Sequence, residues 1–149
     1  MAEFICRAKT VRDGKWVEGY YVQLNDALVW SCMHDYILTG RFEVNLHHGG
    51  ENIERYQIRR CTLGRCTGRE DKNGQRIFER DIVRARLEEG TRAGFEWPLM
   101  RIEFINAAFT LVDKLGRAFC TMAALAPNVE LEVLGNVHDN PELIGGDSE

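Results

Sequence analysis

The sequence predicts a mainly β fold, a small curved sheet or barrel-like arrangement built from hairpins with one short helix. Three observations predict it. Apolar and polar residues alternate over short runs, as they do on strands that bury one face. Turn pairs such as Asp13-Gly14 and Asn73-Gly74 punctuate those runs at close spacing. Few segments sustain a 3.6-residue period, and only Phe119 to Ala126 (FCTMAALA) reads as a helix, with Pro127 to stop it.

Taken in order, Phe4 to Lys9 and Trp16 to Leu24 flank Asp13-Gly14, where glycine accepts the positive φ of a tight turn. Asn25-Asp26 is a second turn. Ala27 to Trp30, Tyr36 to Thr39 and Arg41 to Leu46 follow as strands, and His47 to Asn52 as a loop. Asn73-Gly74 carries the signature of a type I′ hairpin turn, in which both central residues take positive φ. Arg76 to Phe78 and Ile82 to Leu87 flank Asp81. Met100 to Ile105 and Phe109 to Asp113 are joined by Asn106-Ala107-Ala108 alone, which predicts another hairpin. Glu88 to Pro98 is a long loop, Lys114 to Arg117 a turn, and Glu130 to Leu134 a last strand.

A chain of 149 residues suits one domain, 1–149, or two β lobes near 1–50 and 51–144, with 145–149 as a flexible tail. A net charge of −4 disfavours a general nucleic-acid binder, which needs a basic surplus against phosphates. The start MAEFICRAKTVR has no apolar h-region, and no apolar run approaches a membrane span, so neither export nor membrane insertion is expected. The five scattered cysteines fit reduced thiols in a cytoplasm.

Three stretches carry a family resemblance. Thr62 to Gly74 (TLGRCTGREDKNG), Ile77 to Val83 (IFERDIV) and Gly135 to Leu143 (GNVHDNPEL) follow one another in the order of three motifs of the YopX-like family of phage and prophage proteins, and Gly14 to Tyr20 fits a common opening. The chain resembles that family over nearly its whole length. Arg80 stands where the family usually has glycine and Cys66 where it usually has tyrosine. Arg80 therefore implies a turn that tolerates a side chain or has shifted. The resemblance implies a mainly β phage or prophage protein acting in a bacterial cytoplasm. It supplies no catalytic residue.

The residues of those motifs read as architecture: Thr67, Gly68, Asp71, Asn73 and Gly74 in a wet hairpin, Glu79 and Asp81 at a corner where a carboxylate caps backbone N–H groups, and Gly135, Asn136, Asn140 and Pro141 in a rigid terminal turn. A hydrolase site would need Glu79, Asp81 and His138 to converge. His47-His48, with His34 or with the Cys61/Cys66 pair, lacks the second ligand pair of a zinc site, so no metal or other cofactor is expected. The expected function is a non-enzymatic, self-associating interaction module with a phage or host protein as partner. The alternative is single-stranded nucleic-acid binding along a basic and aromatic stripe of Arg55, Tyr56, Arg59, Arg60, Arg65, Arg84 and Arg86.

Overall fold

The computed structural model describes residues 5–25, 33–39 and 54–145. The strands expected at Ala27 to Trp30 and Arg41 to Leu46, and the loop with His47 and His48, lie outside the described residues, as do 146–149. The chain forms two compact units, Met1–Arg65 and Cys66–Glu149. Both are built from antiparallel strands, and the mainly β expectation holds.

In the first unit, β1 (Cys6–Lys9), β2 (Trp16–Asn25), β3 (Met33–Thr39) and β4 (Glu54–Gln57) pair in sequence. The β1–β2 turn forms where Asp13-Gly14 predicts it. Gly14 takes φ +69°, and its N–H donates to Thr10 O at 3.0 Å. Alternation sends Ala8 and Ile37 inward with Ile58, while Cys6, Val17, Tyr21 and Leu63 pack around them. A 3₁₀ turn, Arg60–Thr62, closes this core. The Thr62 hydroxyl accepts the Lys9 N–H at 2.8 Å and donates to Arg59 O at 2.6 Å.

The strand β5 (Gly64–Glu70) leaves the first unit. Its Gly64 and Arg65 pair with Arg7 and Cys6 of β1, and Cys66 onward pairs with β6 (Arg76–Phe78). The second unit then builds a five-stranded sheet from β7 (Asp81–Leu87), β8 (Met100–Ile105), β9 (Ala108–Asp113), β10 (Ala118–Thr121) and β11 (Val129–Asn136), in the order β10-β9-β8-β7-β11. Among the described residues the sheet is open at β10 and β11, so they do not form the closed-barrel variant of the expectation. Ile77 of β6 packs with Val83, Ala85, Met100, Ile102, Leu111, Met122, Val129 and Leu131 into one core.

Three local expectations change. The helix expected over 119–126 is instead strand β10 followed by a 3₁₀ turn, Met122–Ala124. A short apolar run is ambiguous between helix and strand, and pairing of Ala118, Cys120 and Thr121 with β9 decides it. At Asn73-Gly74 only Gly74 has positive φ, so the turn is not type I′. The Asp71 carboxylate explains the difference: one oxygen accepts both the Asn73 and Gln75 N–H groups at 2.9 Å, holding Lys72-Asn73 in an ordinary turn. Type I′ geometry occurs instead at Asn106-Ala107, both with positive φ, between paired Ile105 and Ala108.

At Arg80 the backbone has not shifted. Arg80 adopts φ +69°, the left-handed conformation that glycine takes without strain. It is held by Arg80 N donating to Ile102 O and Val137 N donating to Arg80 O, both at 2.8 Å. Arg80→Gly is therefore expected to raise stability by about 1 kcal/mol. The exposed Arg80–Glu103 pair at 3.7 Å is too weak to offset that gain. Urea denaturation checks it, and a lower midpoint in the variant would show that Arg80 is not strained.

Candidate interaction surface

The charged hairpin of the Thr62 to Gly74 motif is built around one carboxylate. Asp71 is 8% exposed. Besides Asn73 and Gln75 it receives the Val133 N–H at 3.0 Å on its second oxygen, and Lys72 N donates to Leu131 O at 2.9 Å. The turn thus lies along the edge of β11 that does not face β7, supplying partners to backbone groups an open sheet edge leaves bare. Lys72 Nζ adds ion pairs to Glu130 at 3.2 Å and Glu132 at 3.4 Å. Burial raises the Asp71 pKa, but the three backbone N–H groups outweigh it and leave the pKa below the ordinary value.

A depressed carboxylate pKa has a definite sign: its contribution is present above the unfolded value and lost as pH falls through the folded one. Stability of the second unit should accordingly fall below about pH 4, where unfolded aspartates titrate. Asp71→Asn should lower stability at pH 7 by about 1–2 kcal/mol and flatten the acid limb. A pH series of urea midpoints reads both, and an unchanged acid slope in the variant would contradict the assignment.

The same device recurs at Asp113. Its carboxylate accepts Leu115 and Arg117 N–H at 2.9 Å, with Gly116 at φ +81°. DKNGQ and DKLGR are two uses of one turn. The second ends in an ion pair to Arg117, whereas Asp71 reaches across to β11.

The other motif residues are also engaged in backbone contacts. Thr67 donates its hydroxyl to Ile77 O at 2.8 Å, and Gly68 takes φ +82°. Glu79 is half-buried, while Asp81 is fully buried and accepts the Phe78 N–H at 2.8 Å. Asn136 Oδ1 accepts the His138 and Asp139 N–H groups, and Asn140 Oδ1 accepts the Asn136 N–H at 3.3 Å. A β-carbon on Gly135 would stand 2.3 Å from that Asn140 oxygen, so glycine is needed for the close approach. Pro141 starts the last 3₁₀ turn, Pro141–Ile144. Asp81 pairs with Asn136 across β7–β11, and the Val137–Arg80 bond continues that contact, so the corner and the terminal motif meet.

The arginine stripe divides between the units. In the first, the Arg55 guanidinium lies 4.8 Å from the centre of the Tyr36 ring, and the Tyr56 hydroxyl, on the opposite face of β4, donates to Glu54. Arg59, Arg60 and Arg65 are exposed. The Tyr21 hydroxyl bonds Asp35 and holds its pKa low, with a smaller contribution from the Arg60 charge. In the second, Arg84 bonds Glu132 at 2.6 Å, and Arg86 stands opposite Glu130.

An aromatic surface centred on Trp97 lies at one end of the second core. The loop after β7 folds back along that strand, with Leu87 N donating to Phe95 O at 2.9 Å and Trp97 N to Ala85 O at 3.0 Å. Trp97 meets Phe95 edge-on at 5.2 Å and Phe119 at 5.9 Å. Phe95 and Phe119 remain 46% and 52% exposed. Beneath them is a cleft of about 290 Å³ lined by Ala85, Leu87, Trp97, Phe119, Cys120, Ala124, Leu125, Ala126 and Val129. Burial raises the Cys120 thiol pKa, so this thiol stays neutral. The signal in the sequence was FEWP followed by the lone Phe119; it reads as a surface only once the loop is known to fold back.

Two further openings in the second unit, of about 410 and 550 Å³, have mixed polar and apolar walls. Among the described residues no group of three or more His, Cys, Asp or Glu could hold a metal, and no helix is long and apolar enough to cross a membrane.

The YopX protein family model matches residues 6–145. This chain belongs to the YopX family. Among solved structures it is similar to protein EF1440 from Enterococcus faecalis, at 24% identity and a TM-score of 0.53, over 96% of this chain and 99% of that one. It is also similar to protein yopX from Bacillus subtilis, at 14% identity and a TM-score of 0.50, over 93% and 96%. At those identities the likeness is one of fold. No curated protein matches the chain. The motifs that carry the YopX resemblance are thus the Asp71 turn, the Asp81 corner and the Asn136 turn, and each joins one strand end to another.

Proposed function

We propose that this YopX-family chain is a non-enzymatic protein-interaction module of phage or prophage origin, acting in the bacterial cytoplasm. The observation that carries this reading is the exposed Phe95–Trp97–Phe119 surface over an apolar cleft. Clustered aromatics beside a pocket are the usual anchors of protein recognition. What supports the absence of catalysis is that Asp71 and Asp81 are engaged by backbone N–H groups and buried from any substrate. Nucleic-acid binding finds less support, because Arg84 is tied to Glu132 and Arg55 to a ring of its own sheet.

The test is capture of partners by tagged protein from a lysate of prophage-induced cells, with and without nuclease, beside a Phe95→Ser/Phe119→Ser variant. The reading expects one specific partner that survives nuclease and is lost with the variant. Recovery of nucleic acid, with partners lost on nuclease treatment, would move the assignment to the arginines. Self-association belongs to the same proposal and rests on the β8–β9 hairpin tip, where Phe104 and Ile105 are 37% and 39% exposed. Light scattering tests it, and a monomer at high concentration would remove it.

A further inference from the structure

The apolar cleft under Trp97 does not stand alone. Its walls continue along the chain into the neighbouring opening of about 410 Å³: Leu87 leads to Glu88 and Glu89, Ala126 leads to Pro127 and Asn128, and Val129 lines both. Asn128 ties the two runs together, since its carbonyl accepts the Glu88 N–H at 3.0 Å and its side-chain amide donates to Glu89 O at 3.1 Å. The apolar and polar openings are therefore two compartments of one surface held by a fixed frame.

The charge of the second compartment is uneven. Lys72 is taken by Glu130 and Glu132, and Arg69 reaches back to Met122 O at 3.4 Å. Glu70, Glu88 and Glu89 are exposed, with Glu70 opposite Arg76 across β5–β6. Of the charged residues that line this opening, Glu70, Glu88, Glu89 and Glu130 outnumber Arg69 and Lys72, so carboxylates are in excess on this rim. An apolar slot next to a rim with more carboxylates than cations complements a ligand with an apolar group beside a cation. Trp97 and Phe119 offer wide apolar contact, and a slot of 290 Å³ accommodates one large side chain.

We propose that this surface receives a peptide segment of a partner protein that places a large apolar side chain under Trp97 and a lysine or arginine, a few residues away, against Glu88, Glu89 and Glu70. This occupant rests on the interaction-module reading and specifies its ligand. Strand addition to β10 is not the mode: β10 is kinked by a register shift between Ala118 and Cys120, which blunts an edge for pairing. Side-chain capture is the mode that remains.

The experiment is selection of random heptapeptides, displayed on phage, against the full-length protein, followed by titration of the leading synthetic peptide. The expected consensus is one large apolar residue with Lys or Arg within three positions. Its binding should weaken about tenfold in Glu88→Gln/Glu89→Gln, whose changes are exposed and leave the fold intact, and should weaken as salt is raised from 50 to 500 mM. Selection without consensus, an acidic consensus, or binding indifferent to the double variant overturns the proposal. If the lysate experiment still captures a partner that Glu88→Gln/Glu89→Gln retains, only this occupant falls and the module stands. If both experiments fail, both readings fall together.

Discussion

Asp81→Ala is expected to destabilise the second unit by about 4 kcal/mol. The carboxylate is fully buried at the start of β7 and accepts the Phe78 N–H at 2.8 Å, so truncation strands a buried donor and leaves a cavity where nothing can collapse easily. The corner is also the junction of β6, β7 and the end of β11, through the Asp81–Asn136 pairing and the Val137–Arg80 bond. Asp81→Asn keeps an acceptor of the same shape and should lose less. Urea midpoints of the two variants check this order; equal losses would mean that the charge, and not the acceptor, is what the corner requires.

Gly19→Ala is the comparable prediction in the first unit, with an expected loss of about 3 kcal/mol. A β-carbon there would stand 2.1 Å from Leu38 O and 3.0 Å from Ile37 Cγ2. The near atom is backbone of the neighbouring strand β3, which cannot rotate aside, so β2 and β3 must separate locally. The residue lies at the edge of the pairing that runs from Tyr20–Leu38 to Asn25–Met33. A drop in thermal midpoint measures the cost, and a variant as stable as the parent would show that the two strands part without penalty.

These two positions mark where sequence reading succeeds and where it stops. Asp81 before Ile82-Val83 was legible as a corner carboxylate, because a short acidic side chain ahead of a buried strand has backbone donors within reach. Gly19 was not legible, because its constraint comes from a strand some twenty residues away. The hairpins at Asp13-Gly14 and Asn106-Ala107 could be read from local turn chemistry. The geometry at Asn73 could not, since it depends on which N–H groups Asp71 captures. Phe119 to Ala126 has the composition of a helix, and its residues up to Thr121 become strand only through pairing with β9. The aromatic surface was legible only in part for the same reason: Phe119 is distant in sequence from Phe95 and Trp97 and meets Trp97 only in the fold. Local turn signals were readable except where a side chain chose among backbone donors, as Asp71 does, and features set by tertiary pairing were not.

The charged turn of the family motif is a clamp on the edge of β11. Amide hydrogen exchange of the parent and of Asp71→Ala tests it most directly. The Val133, Asn73 and Gln75 amides are expected to be protected in the parent and to lose about 10- to 100-fold of that protection in the variant, while Ile102 and Leu111 amides in the central strands keep theirs. A Val133 amide that exchanges at the same rate in both proteins would contradict it.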